Sequence, residues 1–241
     1  MNTFFAAVAG WFEDLKNVFY ICFIKDDRWK YLTDGLANTI VISLGALLMG
    51  VVLGVIIAVI RSAHEHTGKL KLLDSIAKLY VTIIRGTPMV LQLMIMYYVI
   101  FATVNINKTV VAIAAFGINS GAYVSEIVRS GIMSIDIGQM EAGRSLGLNY
   151  SKTMVSIILP QAIKNILPAL ANEFITLLKE TSVAGYIGLD DLTRGGDIIR
   201  SLTYQPFMPL IAVALVYLVM VICLTKIFGI LERRLRASDK R

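Results

Sequence analysis

The feature that most constrains this chain is an uncharged apolar segment from Leu36 to Ile60. A helix needs about 20 mostly apolar residues to cross the hydrocarbon core of a bilayer, and this segment exceeds that length. Ser201 to Thr225 is a second uncharged segment of the same kind. The weak, alternating strands of a membrane β-barrel are absent. We therefore predict an all-α, polytopic membrane helix bundle.

The composition agrees with that class. The 241 residues are 56% hydrophobic and only 17% charged. The net charge of +6 does not require a nucleic acid partner, because membrane proteins concentrate Lys and Arg in cytoplasmic loops. Cys22 and Cys223 stand far apart in apolar sequence and indicate packing residues. His64 and His66 lie in a polar loop, which favours a solvated loop over a metal site.

Hydropathy and charge predict about five membrane spans and their direction. The Lys and Arg residues collect in the loops 61–78 and 129–152 and in the tail. The positive-inside rule therefore places these loops and the C-terminus in the cytoplasm, and the N-terminus outside. The predicted spans are Leu36–Ile60, Tyr80–Val104, Thr109–Val128, Pro160–Glu180 and Ser201–Thr225.

Three regions follow from these spans. Residues 1–34 form an N-terminal extension, residues 35–232 a transmembrane domain with a cytoplasmic loop at 130–159, and residues 233–241 a basic tail. Apolar residues on one helical face of the extension, from Phe4 to Phe19, predict an amphipathic helix. That helix either lies in the membrane interface or packs on the flank of the protein itself.

The start of the second span contains a helix break, Arg85-Gly86-Thr87-Pro88. Proline removes a backbone donor, and a broken helix inside a membrane needs protein or water to satisfy the freed groups. Gln92 lies one turn further on. The break is either a kink satisfied by a buried amide or part of a path for a transported molecule, and we favour the path.

The fourth span is the least apolar and carries a carboxylate, Glu173. Ala169, Asn172, Glu173 and Thr176 have i, i+3, i+4 and i+7 spacing, so they share one helical face. A charge at membrane depth costs several kcal/mol and must face protein or water. Glu173 is therefore a candidate functional residue, and the alternative is a structural ion pair.

The polar connection between the third and fourth spans predicts a short helix. Asp136 and Gln139 resemble a capping box, and Gly147 suits a left-handed cap at the other end. The small residues Ala142 and Gly143 leave one side open to close contact. At the end of the third span, Glu126 and Arg129 are spaced as an i,i+3 pair, and we predict that they clamp its cytoplasmic end.

The same connection resembles the EAA loop of bacterial ABC importer permeases. Glu141-Ala142-Gly143, Gly147 and Ile157-Ile158-Leu159-Pro160 stand in the order of that motif, with Gly143 where the family usually has Ala. Further segments resemble signatures of the polar amino acid branch, which includes histidine, glutamate, glutamine, arginine and opine permeases. These segments are Arg85–Pro88 with Gln92, Tyr123…Glu126…Arg129, and Leu178-Lys179-Glu180-Thr181-Ser182.

The resemblance implies a type I importer permease in the bacterial cell membrane. Such a chain is not an enzyme and has no cofactor of its own, because separate ABC subunits hydrolyse ATP. An external binding protein delivers the amino acid, and a second permease chain, identical or closely related, completes the path through the lipid bilayer. The helix that contacts the ATPase would include Glu141, Ala142, Gly143, Leu146 and Gly147.

The resemblance also directs attention to a cargo site near the middle of the membrane. A cationic amino acid is compatible with the Glu173 face, since no clear basic residue lies on it. An ion-coupled secondary transporter that uses Glu173 as a proton relay remains the alternative, although the inverted repeats of such transporters are absent. The candidate cargo residues are Glu173, Asn172, Thr176, Ala169, Gln92, Thr87, Pro88 and Met89.

Overall fold

The computed structural model describes the backbone of residues 2–237 and the side chains of residues 10, 11, 13–65 and 68–234. Within residues 2–237 the chain forms helices and connecting turns, and no strand. The helices are α1 (Asn2–Phe19), α2 (Trp29–Thr67), α3 (Lys71–Gly86), α4 (Met89–Ile95), α5 (Lys108–Met133), α6 (Ile137–Ser145), α7 (Tyr150–Thr153), α8 (Leu159–Glu180), α9 (Leu192–Thr203) and α10 (Phe207–Ala237).

Short turns of other helical types extend several of these elements. π-helical turns follow α1, α4 and α7, and 3₁₀ turns precede α2 and follow α8. They are Tyr20–Ile24, Met96–Ile100, Met154–Ile158, Lys25–Asp27 and Thr181–Ile187.

Four described segments are long and apolar enough to cross a membrane: Trp29–Glu65, Lys108–Met133, Tyr150–Ile187 and Phe207–Arg234. The bent pair Lys71–Gly86 and Met89–Ile100 provides a fifth crossing if it is counted as one span. The predicted bundle of about five spans is therefore confirmed. The helix of the first span, α2, continues beyond the predicted Leu36–Ile60 segment at both ends. Polar residues can extend a helix where water or protein, and not lipid, surrounds them.

The bend between α3 and α4 is 109°, and it coincides with the predicted break. Thr87 has the extended conformation that a residue before proline favours, with φ −123° and ψ 147°. Pro88 then begins a new helix rather than continuing the old one. The predicted second span, Tyr80–Val104, is therefore two helical segments with different directions.

The central helix of the bundle is α5. In its most apolar stretch of 18 residues, 61% is buried inside the protein, against 11–28% in the corresponding stretches of the other three straight spans. Its long contact with α2 depends on small residues: a Cβ added to Gly54 would lie 2.6 Å from the side chain of Val124. A Cβ added to Gly50 would likewise lie 2.8 Å from Ser120 Cβ, so only glycine lets the two backbones approach this closely.

Two ion pairs join the ends of α2 and α5. Arg61 Nη1 pairs with Glu126 Oε1, and Arg129 Nη2 lies 3.0 Å from Glu65 Oε1. The predicted pairing of Glu126 with Arg129 on one helix is therefore wrong. A neighbouring helix brings an opposite charge to each residue, and the buried Arg61 needs such a counter-charge more than an exposed residue would.

The second half of the predicted extension packs against the protein itself. Cys22 and Phe23 are buried beside Ile199 of α9, and α2 already begins at Trp29, within the predicted 1–34 region. Trp11 is exposed, with 60% of its surface accessible. The side chains of Phe4, Phe5, Val8 and Phe12 lie outside the described residues, as do residues 238–241 of the predicted basic tail.

Candidate functional site

Glu173 lies on the predicted polar face of α8, between the exposed Asn172 and Thr176 and the half-buried Ala169. Its Oε1 accepts a hydrogen bond of 2.7 Å from Ser120 Oγ on α5. Thr176 Oγ1 donates to the backbone oxygen of Asn172 at 3.0 Å, as hydroxyls within helices commonly do. No described Lys, Arg or His lies within ion-pairing distance of Glu173, so the alternative of a structural ion pair has no partner.

The side chain of Gln92 donates hydrogen bonds to backbone carbonyl groups at the bend. Because Pro88 has no N–H, the carbonyl of Ile84, four residues earlier, loses its usual helical donor. Gln92 Nε2 donates to that oxygen at 2.8 Å, and to Thr87 Oγ1 at 2.7 Å and Thr87 O at 3.1 Å. The amide therefore has the structural role that the sequence left open, and it holds the bend in one shape.

Gln92 also lines a cavity, together with Thr87. The cavity has a volume of about 250 Å³ and fills the inner angle of the bend between α3, α4 and α5. Its other walls are apolar side chains such as Met96 and Ala115. Of the other predicted residues, Pro88 is exposed and Met89 packs against the buried core of the bundle. Met89 therefore packs between α4 and the core and does not line the cavity.

Asn119 and Ser120 join the two halves of the predicted site. Asn119 Nδ2 donates to Gln92 Oε1 at 2.9 Å, and its sequence neighbour Ser120 bonds Glu173. Both residues are buried on α5, the central helix. The sequence showed them only as polar residues in an apolar span and did not assign them to the site. Together these bonds link Gln92 on α4 to Glu173 on α8 through two adjacent residues of α5, and these four side chains are called the polar cleft below.

The connection at 130–159 forms the predicted short helix with Asp136 at its start, although no side-chain bond from Gln139 completes the predicted capping box among the described residues. The Asp136 carboxylate accepts from the Gly138 N–H at 2.7 Å and begins α6. At the other end Gly147 has φ +80°, and the Leu148 N–H bonds to the Gly143 carbonyl at 3.1 Å. The short helix is thus fixed at both ends by its own sequence.

The two sides of α6 differ. Glu141 and Ala142 are exposed, and Leu146 just beyond the helix has 81% of its surface accessible. Gly143 instead is buried against α7, where an added Cβ would lie 2.5 Å from Thr153 Cγ2. The expectation that both small residues present an open side therefore holds only for Ala142. Gly143 seats the helix on the rest of the connection.

Taken together, a helical bundle of four to five candidate membrane spans, the polar cleft within those spans and an exposed, capped loop helix are typical of a membrane transport subunit. Residues 36–237 match the family described as binding-protein-dependent transport system inner membrane component. The chain belongs to this family.

Curated relatives cover nearly the same part of the chain. It is 40% identical over 211 residues to the arginine transport system permease protein ArtQ of Bacillus subtilis (strain 168), which covers 87% of this chain and 94% of the relative. It is 38% identical over 210 residues to the putative glutamine transport system permease protein GlnP of Rickettsia bellii (strain RML369-C), covering 86% and 94%. It is 34% identical over 214 residues to the L-cystine transport system permease protein TcyB of B. subtilis (strain 168), covering 88% and 89%.

Solved structures give the same result. The crystal structure of an amino acid ABC transporter with histidines contains a chain 42% identical to this one, with a TM-score of 0.79, covering 85% of this chain and 94% of that chain. An inward-facing MetNI methionine ABC transporter has a TM-score of 0.74 at 19% identity, covering 88% and 99%, and supports the fold alone. The resemblance to ABC importer permeases and the type I fold are therefore confirmed, and the secondary-transporter alternative has no support.

Proposed function

We propose that this chain is the membrane-spanning subunit of an ATP-driven importer for a polar amino acid. The observation that carries the proposal is the cleft in which α5 links Gln92 to Asn119 and Glu173 to Ser120. An unpaired carboxylate at membrane depth needs a polar or cationic ligand or water beside it. The relatives described above are named as permeases for arginine, glutamine or cystine, and this chain spans most of their length.

Within the cleft, Glu173 is suited to the ammonium group or a cationic side chain of the cargo. Thr176 and Asn172 are exposed on the same face of α8 and can exchange hydrogen bonds with polar groups, while Ala169 leaves room beside them. On the opposite side Thr87 and Gln92 form the polar edge of the bend cavity. Pro88 creates the bend and Met89 anchors it, so both position the site.

The exposed side of α6 is suited to a separate ATP-hydrolysing subunit. Glu141 and Ala142 offer a carboxylate and a small surface, and Leu146 is a large apolar side chain left in solvent, which is typical of a docking surface. Gly143 packs the opposite side of the helix against Thr153, and Gly147 ends the helix with its positive φ. The sequence has no G-x-x-x-x-G-K-[ST] phosphate loop, which is consistent with ATP hydrolysis by partner chains.

The remaining partners are inferred from the family. An external binding protein would deliver the amino acid, and a second permease chain, identical or closely related, would face the cleft from the other side. The basic loops and tail support a bacterial cell membrane location with the C-terminus in the cytoplasm. The N-terminal extension would then lie on the outer side.

The test is to purify the chain together with the proteins that associate with it. Co-purification of an ATPase whose hydrolysis rises when an amino-acid-loaded binding protein is added would support the proposal. Uptake into vesicles that follows a proton gradient, with no ATPase bound to the chain, would refute it. A screen of amino acids against the associated binding protein would then identify the cargo.

A further inference from the structure

Exposed aromatic side chains collect at one end of the bundle, where the N-terminal extension meets the first residues of two spans. Trp29 begins α2, Phe207 begins α10, and Tyr204 follows the end of α9. Trp11 and Tyr20 belong to the extension. Each of these five residues, called the aromatic surface below, exposes between 44% and 89% of its area. Large apolar groups that are exposed in one place mark a site of interaction.

A small apolar core holds together the elements that carry the aromatic surface. Phe23 of the extension and Ile199 of α9 are buried in this core, and Leu32 of α2 packs against them. Trp11 of the extension and Phe207 of α10 line one cavity of about 270 Å³. The extension, α9 and the starts of α2 and α10 therefore meet at the same end of the bundle.

The aromatic surface lies at the end of the bundle away from α6. Arg61, near the other end of α2, pairs with Glu126 close to the end of α5 that leads into α6. Both spans that start at the aromatic surface, Trp29–Glu65 and Phe207–Arg234, are long and apolar enough to cross a membrane. Trp and Tyr are enriched at the level of the lipid headgroups, because their rings are apolar and their N–H and O–H groups are polar.

An apolar groove lies between α2 and α10 next to the aromatic surface. On α2, the groove residues Leu36 and Ile40 follow Trp29 by seven and eleven residues. At about 100° and 1.5 Å per residue, both project within about 20° of the direction of Trp29, and the groove begins about 10 Å from it. Trp29 therefore stands above the entrance of the groove. The groove has a volume of about 360 Å³ and is lined by Leu36, Ile40, Leu215, Val216, Val219 and Met220.

We propose that the α2–α10 groove binds one acyl chain of a phospholipid whose headgroup lies at the aromatic surface. The groove lies within two candidate spans, and each of its lining residues is apolar, so it suits a hydrocarbon chain and offers nothing to a polar cargo. The rings beside its entrance have the amphipathic character of residues at the headgroup level. None of the groove residues belongs to the polar cleft, so the lipid site and the cleft are separate.

The charges beside the aromatic surface do not select an anionic headgroup. Arg28 pairs with Asp26 at 2.9 Å, and Lys30 pairs with Asp27 at 2.8 Å. The affinity must therefore come from the acyl chain and the rings, and the phospholipid is bound whatever the charge of its headgroup. Residues 13–34 contain five acidic side chains, Glu13, Asp14, Asp26, Asp27 and Asp34, against four basic ones, Lys16, Lys25, Arg28 and Lys30.

The backbone of Tyr204 supports a contact outside the protein. Its φ of +55° lies in the left-handed region, which residues other than glycine rarely adopt. With 89% of its area exposed, Tyr204 gains little from packing against its own chain. Contact with lipid headgroups supplies a stabilisation that the rest of the chain does not give to this residue.

The experiment asks whether a ring placed in the groove removes a retained phospholipid. The complex of the permease with the proteins that associate with it is reconstituted in vesicles of equal parts phosphatidylethanolamine and phosphatidylglycerol, and is then extracted in mild detergent. Native mass spectrometry counts the lipids that stay bound in the wild type, in Val219→Trp and in the control Ile227→Trp. Val219 lines the groove, and Ile227 lies on the same helix outside it. The two residues are matched in exposure, at 59% and 58%.

A second measurement leaves the groove intact, so it tests the proposal even if Val219→Trp does not assemble. Trp29 or Tyr204 is replaced by the photoreactive p-benzoylphenylalanine, and the complex is illuminated in the same vesicles. Mass spectrometry then identifies what is attached at each position. Leu146 is the control position, because it is exposed beside α6 at the opposite end of the bundle.

We expect the wild type and Ile227→Trp to retain one phospholipid for each permease chain, with phosphatidylethanolamine and phosphatidylglycerol both represented. Val219→Trp should bind this lipid at least about tenfold more weakly, since the loss of apolar contact with two CH₂ groups has an effect of that size. The positions of Trp29 and Tyr204 should give phospholipid adducts, and the position of Leu146 should give none.

Three results would overturn the proposal. If Val219→Trp retains the lipid as the wild type does, or if both tryptophan variants lose it equally, the groove is not the binding site. If the retained lipid is phosphatidylglycerol alone, the charge of the headgroup and not the groove selects it. If the positions of Trp29 and Tyr204 attach to a second permease chain or to another protein, the aromatic surface is a protein interface. Each of these results leaves the proposed amino acid import untouched, because the groove is separate from the polar cleft.

Discussion

Gly143 allows a quantitative test of how the loop helix α6 is seated. A Cβ at this position would lie 2.5 Å from Thr153 Cγ2 and 2.9 Å from Thr153 Oγ1. Overpacking of this kind costs about 1–3 kcal/mol, while alanine in a helix is favoured over glycine by about 1 kcal/mol. We therefore expect Gly143→Ala to destabilise the native connection by about 0–2 kcal/mol. The strain explains why this chain has glycine where the EAA motif usually has alanine.

The second variant, Thr153→Ala, removes both clashing atoms. In that background the close contact that remains is with Ile157 Cδ1 at 3.2 Å, the flexible end of a side chain. Gly143→Ala should therefore range from neutral to stabilising by up to about 1 kcal/mol. The two substitutions should thus show a coupling energy of about 1–3 kcal/mol, and the effect of Gly143→Ala should change sign or vanish.

The measurement is a double-mutant cycle on the purified permease–ATPase complex. Thermal unfolding reports global stability, and hydrogen exchange of residues 137–153 reports the local opening of α6 and α7. Thr153→Ala alone provides the baseline, since it loses a buried side chain and its hydrogen bond to Asn149 O. Equal destabilisation by Gly143→Ala in both backgrounds would show that Thr153 is not the obstacle.

Three further predictions concern the cleft, the docking surface and the ion pairs. Glu173→Gln should abolish or retune amino acid uptake by vesicles while the complex still assembles, and wild-type uptake would give Glu173 a structural role. Glu141→Lys should reduce the ATPase recovered with the permease, because it reverses a charge on the exposed side of α6; unchanged recovery and activity would refute that contact. Arg61→Ala should lower thermal stability more than Arg61→Ala combined with Glu126→Ala, since the single variant leaves a half-buried carboxylate without its partner. Equal losses would argue against that pair.

The helix α5 connects the two halves of the polar cleft. Ser120 and Asn119 are consecutive residues, and consecutive residues on a helix point about 100° apart. One helix can therefore contact α4 and α8 at the same depth, and a change in either neighbour can reach the other through adjacent side chains. The cleft residues and the bend are linked in this way by direct hydrogen bonds.

The sequence alone determined the features that depend on local chemistry. Hydropathy fixed the number of spans because burial of backbone groups in lipid requires long apolar helices. Pro88 marked the break because it removes a donor wherever it stands, and Asp136 and Gly147 marked the ends of α6 through caps formed with their own neighbours. Glu173 was identifiable because a carboxylate in a span is rare enough to require a reason.

Only the tertiary structure decided which faces meet. The partners of Glu126 and Arg129 come from α2, the inward position of Gly143 comes from its contact with Thr153, and the roles of Asn119 and Ser120 come from the rotation of α5 between α4 and α8. A helical pattern gives the relative directions of side chains within one helix but not the rotation of that helix against its neighbours. Packing of the whole bundle sets that rotation, and with it the cleft.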